Sequence, residues 1–262
     1  MIRNHKYNFL VFIFSFLLGF TACDSEPGMA RLVVKLTDAP ADYQEVNVDI
    51  QNIEVNVNQN GDESGWTTLE NTNTGVFNLL ELTNGISAVL ADVEIPAGYI
   101  SQIRLQLGDN NTLKMGDQMI DLKTPSAQQS GLKIKLNSTL SANITYEILL
   151  DFDAARSVVK AGNSGNFNLK PVIRASAEAQ DGAIKGMITP SEASSVVYAI
   201  QGADTVTSTF TNDVGRFLIR GLADGTYTVS ISPQDPYQTE TRDEVLVNIG
   251  NVTDLGTIAL TD

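Results

Sequence analysis

The chain has 262 residues, with 17 basic and 31 acidic side chains and a formal charge of −14. A surface this acidic repels nucleic acid and anionic lipid headgroups, and a single cysteine excludes any disulfide within the chain. Abundant Asn, Thr, Ser and Gly with few charged helix formers favours strands and turns, so the expected fold is all-β.

Arg3, His5 and Lys6 form a basic start, and Tyr7 to Phe20 is an apolar run followed by Thr21, Ala22 and Cys23. The run is shorter than the roughly 20 apolar residues that span a bilayer comfortably, and no stop-transfer pattern follows, so residues 1–22 read as a cleaved signal peptide. The segment Phe20-Thr21-Ala22-Cys23 resembles the lipobox of bacterial lipoproteins, with Phe20 larger than the usual residue there. That resemblance implies acylation of Cys23 and attachment to a membrane through the N-terminal lipid, with residues 23–29 as lipidated cysteine and tether. The acidic Asp24-Ser25-Glu26 resembles surface-export signals of Bacteroidetes lipoproteins, whereas an Asp beside the cysteine resembles an inner-membrane retention signal in enterobacteria; the expected location is the bacterial cell envelope, with the outer membrane favoured and the leaflet, surface exposure included, left open. Removing residues 1–22 leaves 15 basic and 31 acidic residues, a formal charge of −16.

A first β-sandwich is expected over residues 30–178. Leu32 to Leu36 starts an alternating strand that stops at Thr37-Asp38-Ala39-Pro40. Val46, Val48 and Ile50 are followed by Ile53, Val55 and Val57, and this change of parity across Gln51-Asn52 demands a bulge or a break. Trp66 begins a return strand after the polar loop Asn58 to Ser64. Phe77 to Leu82 suits a strand edge or a helical turn, and Leu90 to Ile95 leads into a tight turn at Pro96-Ala97-Gly98-Tyr99. Ile103, Leu105 and Leu107 alternate with polar neighbours as the clearest half-buried strand. Further strands are expected at 113–115, 119–122, 132–136 and 144–152, with one short helix over Ala154 to Lys160, and Phe167 to Ala177 closes the unit.

A second, smaller sandwich is expected over residues 182–262. Its strands are read at 184–188, 196–200, 205–211, 216–219, 226–231, 245–249 and 258–260, with a turn at Thr211-Asn212-Asp213-Val214-Gly215. Tyr227, Val229 and Ile231 share one face. Short strands at this spacing describe a sandwich.

Residues 31–175 resemble an uncharacterised family, the domain of unknown function numbered 4382, found in bacterial lipoproteins. The matching stretches are LTDAPADYQEVNVDI, FNLLEL, IPAGYISQIRLQLG, SGLKIKL and LDFDAARSVVKAGNSGNFNLKPVIR. The resemblance implies an envelope location and a β-rich fold and brings no catalytic set with it. Residues 182–260, through TNDVGRFLIRGLADGTYTVSI, resemble carboxypeptidase-regulatory-like or transthyretin-like domains. That implies a transthyretin-like or immunoglobulin-like accessory sandwich of a superfamily with carbohydrate-binding members.

Beyond residue 22 the chain has no histidine and only Cys23 as a thiol, which excludes Ser-His-Asp, Cys-His and histidine-bearing zinc chemistry there. No phosphate-binding glycine loop is present. Asp151 and Asp153 lie two apart, so both carboxylates would leave the same face of a strand. They are the weak candidates for a structural calcium ion, needing further oxygen ligands, and for paired-carboxylate glycoside hydrolysis. An ion pair with Arg156 is the competing structural role. No other cofactor is expected. The loops Asp109-Asn110-Asn111 and Asn58 to Glu63 offer oxygen ligands or simple hairpin solvation. Trp66, Tyr99, Tyr227 and Tyr237 are sparse for a sugar platform and suit core packing. The functional expectation is a noncatalytic envelope lipoprotein with a structural, adhesion or partner-binding role; alternatives are a carbohydrate-binding surface lipoprotein and, behind it, a glycoside hydrolase. The expected partners are the membrane and an envelope protein or glycan.

Overall fold

A computed structural model describes residues 28–39, 41–124, 131–162 and 165–262. The fold is all-β. In chain order the first half contains β1 (Met29–Asp38), β2 (Glu45–Asn56), β3 (Trp66–Thr68), β4 (Gly75–Asn78), β5 (Ala88–Pro96), β6 (Gly98–Leu107), β7 (Thr112–Met115), β8 (Gln118–Lys123), β9 (Leu132–Leu140) and β10 (Thr145–Phe152). One helical turn, α1 (Ala154–Ser157), precedes β11 (Val158–Lys160), β12 (Phe167–Leu169) and β13 (Ile173–Ala179). The second half contains β14 (Gly182–Thr189), β15 (Val196–Gln201), β16 (Asp204–Phe210), β17 (Arg216–Leu222), β18 (Gly225–Ser232), β19 (Glu240–Val247) and β20 (Val252–Ala259).

The first sandwich sets a four-stranded sheet, ordered β13-β10-β1-β5, against a nine-stranded sheet in which β2 pairs with β3, β4, β6 and β7. Strands β1 and β10 run parallel, 114 positions apart in register from Arg31 opposite Thr145. Alternation explains the packing of β1: Ala30, Leu32, Val34 and Leu36 are buried while Met29 and Arg31 are exposed. The parity change in β2 is a bulge between Ile50 and Asn52, and the strand continues through it with Val46, Val48, Ile50, Ile53 and Val55 all buried.

In the second half, β17-β14-β20 faces β16-β15-β18-β19 across its own core of Ile184, Val197, Phe217, Tyr227, Val229 and Ile231. Gly186 lies under the ring of Phe217, its partner on the neighbouring strand of the same sheet: a Cβ there would stand 2.8 Å from the ring, so glycine lets the ring lie across β14 at this point. The Tyr227 hydroxyl donates to the Ala223 carbonyl at 3.1 Å, which satisfies the polar end of a buried ring.

Several local expectations are corrected. The helix expected over Ala154 to Lys160 is one turn, because Val158 and Val159 enter β11 opposite Leu169 and Asn168. The closing stretch 167–177 falls into two strands in different sheets, parted at Lys170-Pro171, where proline cannot supply a ladder donor. Met29, placed in the tether from sequence, already belongs to β1. Ile249 lies beyond β19 and is 45% exposed rather than packed. Phe77 to Leu82 is both alternatives in succession: β4 ends at Asn78, whose side chain caps a 3-10 turn over Leu79–Glu81.

Only Gln180 and Asp181 separate β13 from β14. Gln180 N–H donates to Thr145 O at 2.8 Å, Thr145 N–H donates to Asp181 Oδ1 at 2.8 Å, and Gly250 N–H donates to Asp181 O at 2.8 Å. Arg220 of β17 reaches Glu94 of β5 at 3.2 Å and the Asn143 side-chain oxygen at 2.9 Å. Ala183 joins the first core, with Leu218 and Val252 packed against it.

Candidate functional site

A cleft of 610 Å³ opens beside the second sandwich, lined by β14, β17 and β20, the end of β16 and Asn143 from the first sandwich. Its chemistry is mixed. Lys185 and Asp254 pair at 3.2 Å, and Asp254 is held below the ordinary carboxylate range by the Gly256 N–H and then by Lys185. Arg216 is placed by the turn before it: its N–H donates to Asn212 Oδ1 at 2.9 Å, and Asn212 N–H donates back to Arg216 O at 2.9 Å. Residues 182–262 contain four basic side chains. Lys185, Arg220 and Arg242 each face a carboxylate, whereas the guanidinium of Arg216 has no carboxylate partner among the described residues. Phe210 stands at the cleft rim with 73% of its surface exposed. Sequence reasoning passed over Phe210 and Arg216; the available signal was an aromatic closing an otherwise polar strand, two residues before a turn.

Asp151 and Asp153 do not form one site. β10 ends at Phe152, so Asp153 leaves the strand and caps α1, accepting from Arg156 N–H at 3.0 Å. Asp151 stays in the ladder and pairs at 2.6 Å with Arg174, directly opposite on β13. The arginine on Asp151 is therefore Arg174, while Arg156 stands 3.8 Å from Asp153. The carboxyl whose pKa is raised is a third one, Asp38, only 5% exposed at the end of β1. Burial pushes its pKa up to about 6, against the opposing hydrogen bonds of Ala154 and Ala39 N–H, with Asp153 and Asp151 adding to the rise. Asp38 Oδ1 accepts from Ala154 N–H at 2.9 Å, and Oδ2 has no partner.

The loop Asp109-Asn110-Asn111 serves the interior. Asn111 is fully buried; its Oδ1 accepts from Asp49 N–H at 2.9 Å, and its Nδ2 donates to Gly108 O at 2.7 Å and Thr124 Oγ1 at 3.3 Å. Asp49, 1% exposed, accepts from Gln51 Nε2 at 2.5 Å and from the Asn110 side chain at 3.0 Å. In the other loop, Asn58 donates to Asp62 Oδ1 at 2.9 Å, and Asp62 also accepts from Ser64, which closes the hairpin. Among the described residues no group of three or more His, Cys, Asp or Glu side chains is arranged to hold a metal ion.

The four aromatic candidates are spoken for separately. Trp66 lies under the Arg104 guanidinium, 4.1 Å from the ring centroid, in a network where Arg104 Nε meets Glu54 at 2.5 Å and Glu63 meets Lys133. Tyr99 donates to Asn137 at 2.9 Å, Tyr227 is in the core, and Tyr237 packs against that core. Cys23 and the signal segment lie outside the described residues. Among the described residues no helix is long and apolar enough to cross a membrane.

These features define an all-β chain with two packed cores and an open, polar cleft beside the second. Residues 29–171 match the family model described as Domain of unknown function (DUF4382), and the chain belongs to that family. Comparison with curated proteins finds no match. Among solved structures, the chain is similar to an interface mutant of a type II cohesin-X-dockerin complex from Acetivibrio cellulolyticus, at 27% identity over 30% of this chain, with a TM-score of 0.25. The match spans 56% of that chain, a little over half its length. The fimbrial anchor protein Mfa2 from Porphyromonas gingivalis is 10% identical, covering 87% of this chain and 90% of that one, with a TM-score of 0.25. The Bacillus anthracis TIE protein is 10% identical over 90% of this chain and 35% of that one, also at 0.25. Likenesses at these TM-scores carry no weight for fold or function.

Proposed function

We propose that the chain is a noncatalytic lipoprotein of the bacterial cell envelope, anchored through an acylated Cys23, whose two sandwiches present a protein-binding surface. The carrying observation is the make-up of the cleft wall. An unpaired Arg216 and a solvent-facing Phe210 border it, and its one carboxylate, Asp254, is already tied to Lys185 and Gly256. An arginine and an aromatic around a partly apolar opening are the residue types that anchor protein interfaces. The acidic chain and the apolar run ending at Cys23 support the envelope location. Residues 30–178 and 182–262 serve in this reading as two units, the second an accessory sandwich of the carboxypeptidase-regulatory type.

Two measurements test it. Intact mass of the membrane-extracted protein carries acyl chains on Cys23 with residues 1–22 removed, and Cys23→Ser moves the protein to the soluble fraction; a full-length mass with unmodified Cys23 defeats the anchor. A cysteine placed at Met187 in the cleft cross-links to protein in intact cells; labelling by small thiol reagents alone, with no protein adduct, defeats the binding surface.

A further inference from the structure

Strand β16 ends its sheet, with β15 on one side and, among the described residues, no strand on the other. Thr211 N–H donates inward to Ser195 O at 3.0 Å, so the residues in step with it face β15 and the alternate ones, Ser208 and Phe210, turn their backbone N–H and C=O away from the sheet. An open edge is a template for another strand, and proteins blunt such edges with charge. The other terminal strands are charged, except β3 (WTT) and β4 (GVFN), which pair only with β2 and are blunted by their three- and four-residue length instead. Charges stand at Asp92 and Glu94 in β5, Arg174 and Glu178 in β13, Lys133 and Lys135 in β9, Asp254 in β20 and Arg242 to Glu244 in β19. β17 carries Arg216 and Arg220, and β11 is three residues long with Lys160 at its end. The sequence of β16, DTVTSTF, is charged only at its first residue. Its threonines and valine suit an extended edge, and Val206 and Phe210 are 48% and 73% exposed.

The ends of this edge complement each other. Asp204, exposed and without an ion pair among the described residues, stands at one end; Arg216, held against Asn212, stands just past the other. We propose that β16 pairs antiparallel with β16 of a second copy of this chain, about a two-fold axis at Ser208. In that register Phe210 of each copy faces Val206 of the other, the extra residue of a bulge in β16 opposite Ala199 and Ile200, and Asp204 falls opposite Asn212, within reach of Arg216. A two-fold interface must be self-complementary, and this edge meets the condition in apolar side chains and charge, with the backbone pairing centred on Ser208 and interrupted at the bulge. Seven residues bury far less than the roughly 1,600 Å² of a standard interface, so the pairing is weak and reversible. The inference rests on reading the cleft rim as protein-binding; it does not require the lipid.

The test is cross-linking of the full chain in native membranes, with the wild-type chain as background for Cys23. A hydrogen-bonded pair at the axis brings the two Cα atoms to about 5.5 Å, a separation a disulfide can bridge. Ser208→Cys is expected to give about tenfold more oxidised dimer than Glu192→Cys, an exposed control off the edge. Adding Arg216→Asp lowers the yield by about fivefold, in line with two partly exposed ion pairs lost, and adding Asp204→Arg on top restores it. Dimer from Ser208→Cys at the Glu192→Cys level overturns the pairing, as does failure of the charge swap to restore it in chains with unchanged unfolding temperature. Cross-linking of Ser208→Cys to a different protein overturns the second-copy assignment and leaves the protein-binding reading standing.

Discussion

Asp38 and Ala154 are 116 positions apart in sequence and 2.9 Å apart in space: one carboxylate oxygen of Asp38 takes the Ala154 N–H at the start of α1, and the other oxygen faces no donor. The contact ties the end of β1 to the chain just after β10 and does so with a group whose charged form is poorly solvated. Its pKa of about 6 lies above the ordinary aspartate value of 3.8. A carboxyl with a raised folded-state pKa contributes stability that is full below its unfolded pKa and is lost as pH rises through the folded one. Its contribution is therefore lost between pH 4 and pH 6, and above pH 6 the residue works in full against the rest of the molecule. Asp38→Asn, which keeps the oxygen that accepts from Ala154, is expected to raise stability at pH 7.5 by about 1–2 kcal/mol and to leave it unchanged near pH 4. Urea unfolding of both forms across that range checks this; equal stability at pH 7.5 counts against the burial argument.

The pair of Glu54 and Arg104 has side chains 11% and 13% exposed, at 2.5 Å, with Gln106 also donating to Glu54 at 2.8 Å. Arg104 is the leading cause holding the Glu54 carboxyl below its usual range. Glu54→Ala leaves a nearly buried guanidinium with only the exposed Glu63 carboxylate, 3.6 Å away, and is expected to cost about 3 kcal/mol. Glu54→Leu with Arg104→Met, which removes both charges, is expected to recover most of that loss in equilibrium unfolding. A double variant as unstable as Glu54→Ala would mean that packing against Trp66, not charge, is what Arg104 provides.

Asn111 satisfies three groups at once, on Asp49, Gly108 and Thr124. Asn111→Ala is expected to cost about 3 kcal/mol, since each buried group left unpaired costs roughly 1–3 kcal/mol. For a chain of this size that is a fall of about 5–10 °C in Tm. Calorimetry with Asn111→Asp alongside separates lost hydrogen bonding from lost volume: the aspartate has the shape without the donor and is expected to fall nearly as far.

Asp151 is committed to Arg174 and Asp153 to the start of α1. Unfolding temperatures in chelator and in calcium at about 1 mM, a concentration that fills even weak extracellular sites, are expected to coincide. A calcium-dependent rise that disappears in Asp151→Asn would reinstate the ion-site reading of these two residues.

How far the sequence could be read depends on the range of the interaction. The change of parity between Ile50 and Ile53 announced the bulge in β2, because strand alternation is local. The same rule, carried one step further along Leu32, Val34 and Leu36, would have placed Asp38 on the core face, yet the proline two residues on drew attention to a turn instead. The break at Lys170-Pro171 is visible in composition, since proline lacks a ladder donor, but which sheet each side joins is set by distant strands. Which arginine meets Asp151 depends on the register of β10 against β13, and the partners of Asn111 come from strands folded around it; neither is a property of any window of sequence. The open edge of β16 needed the sheet order, since only that says which strand is left last.

The chain enters the four-stranded sheet at Met29, beside Asn143, and leaves it at Ala179, beside Tyr146, so both crossings lie at one end of β10. Tension applied between the leading segment and the second sandwich would thus load the bonds of Arg31, Thr145 and Gln180 one after another, as a zipper opens, instead of shearing whole strands together. Most of the first sandwich hangs beside that line of force and bears none of it.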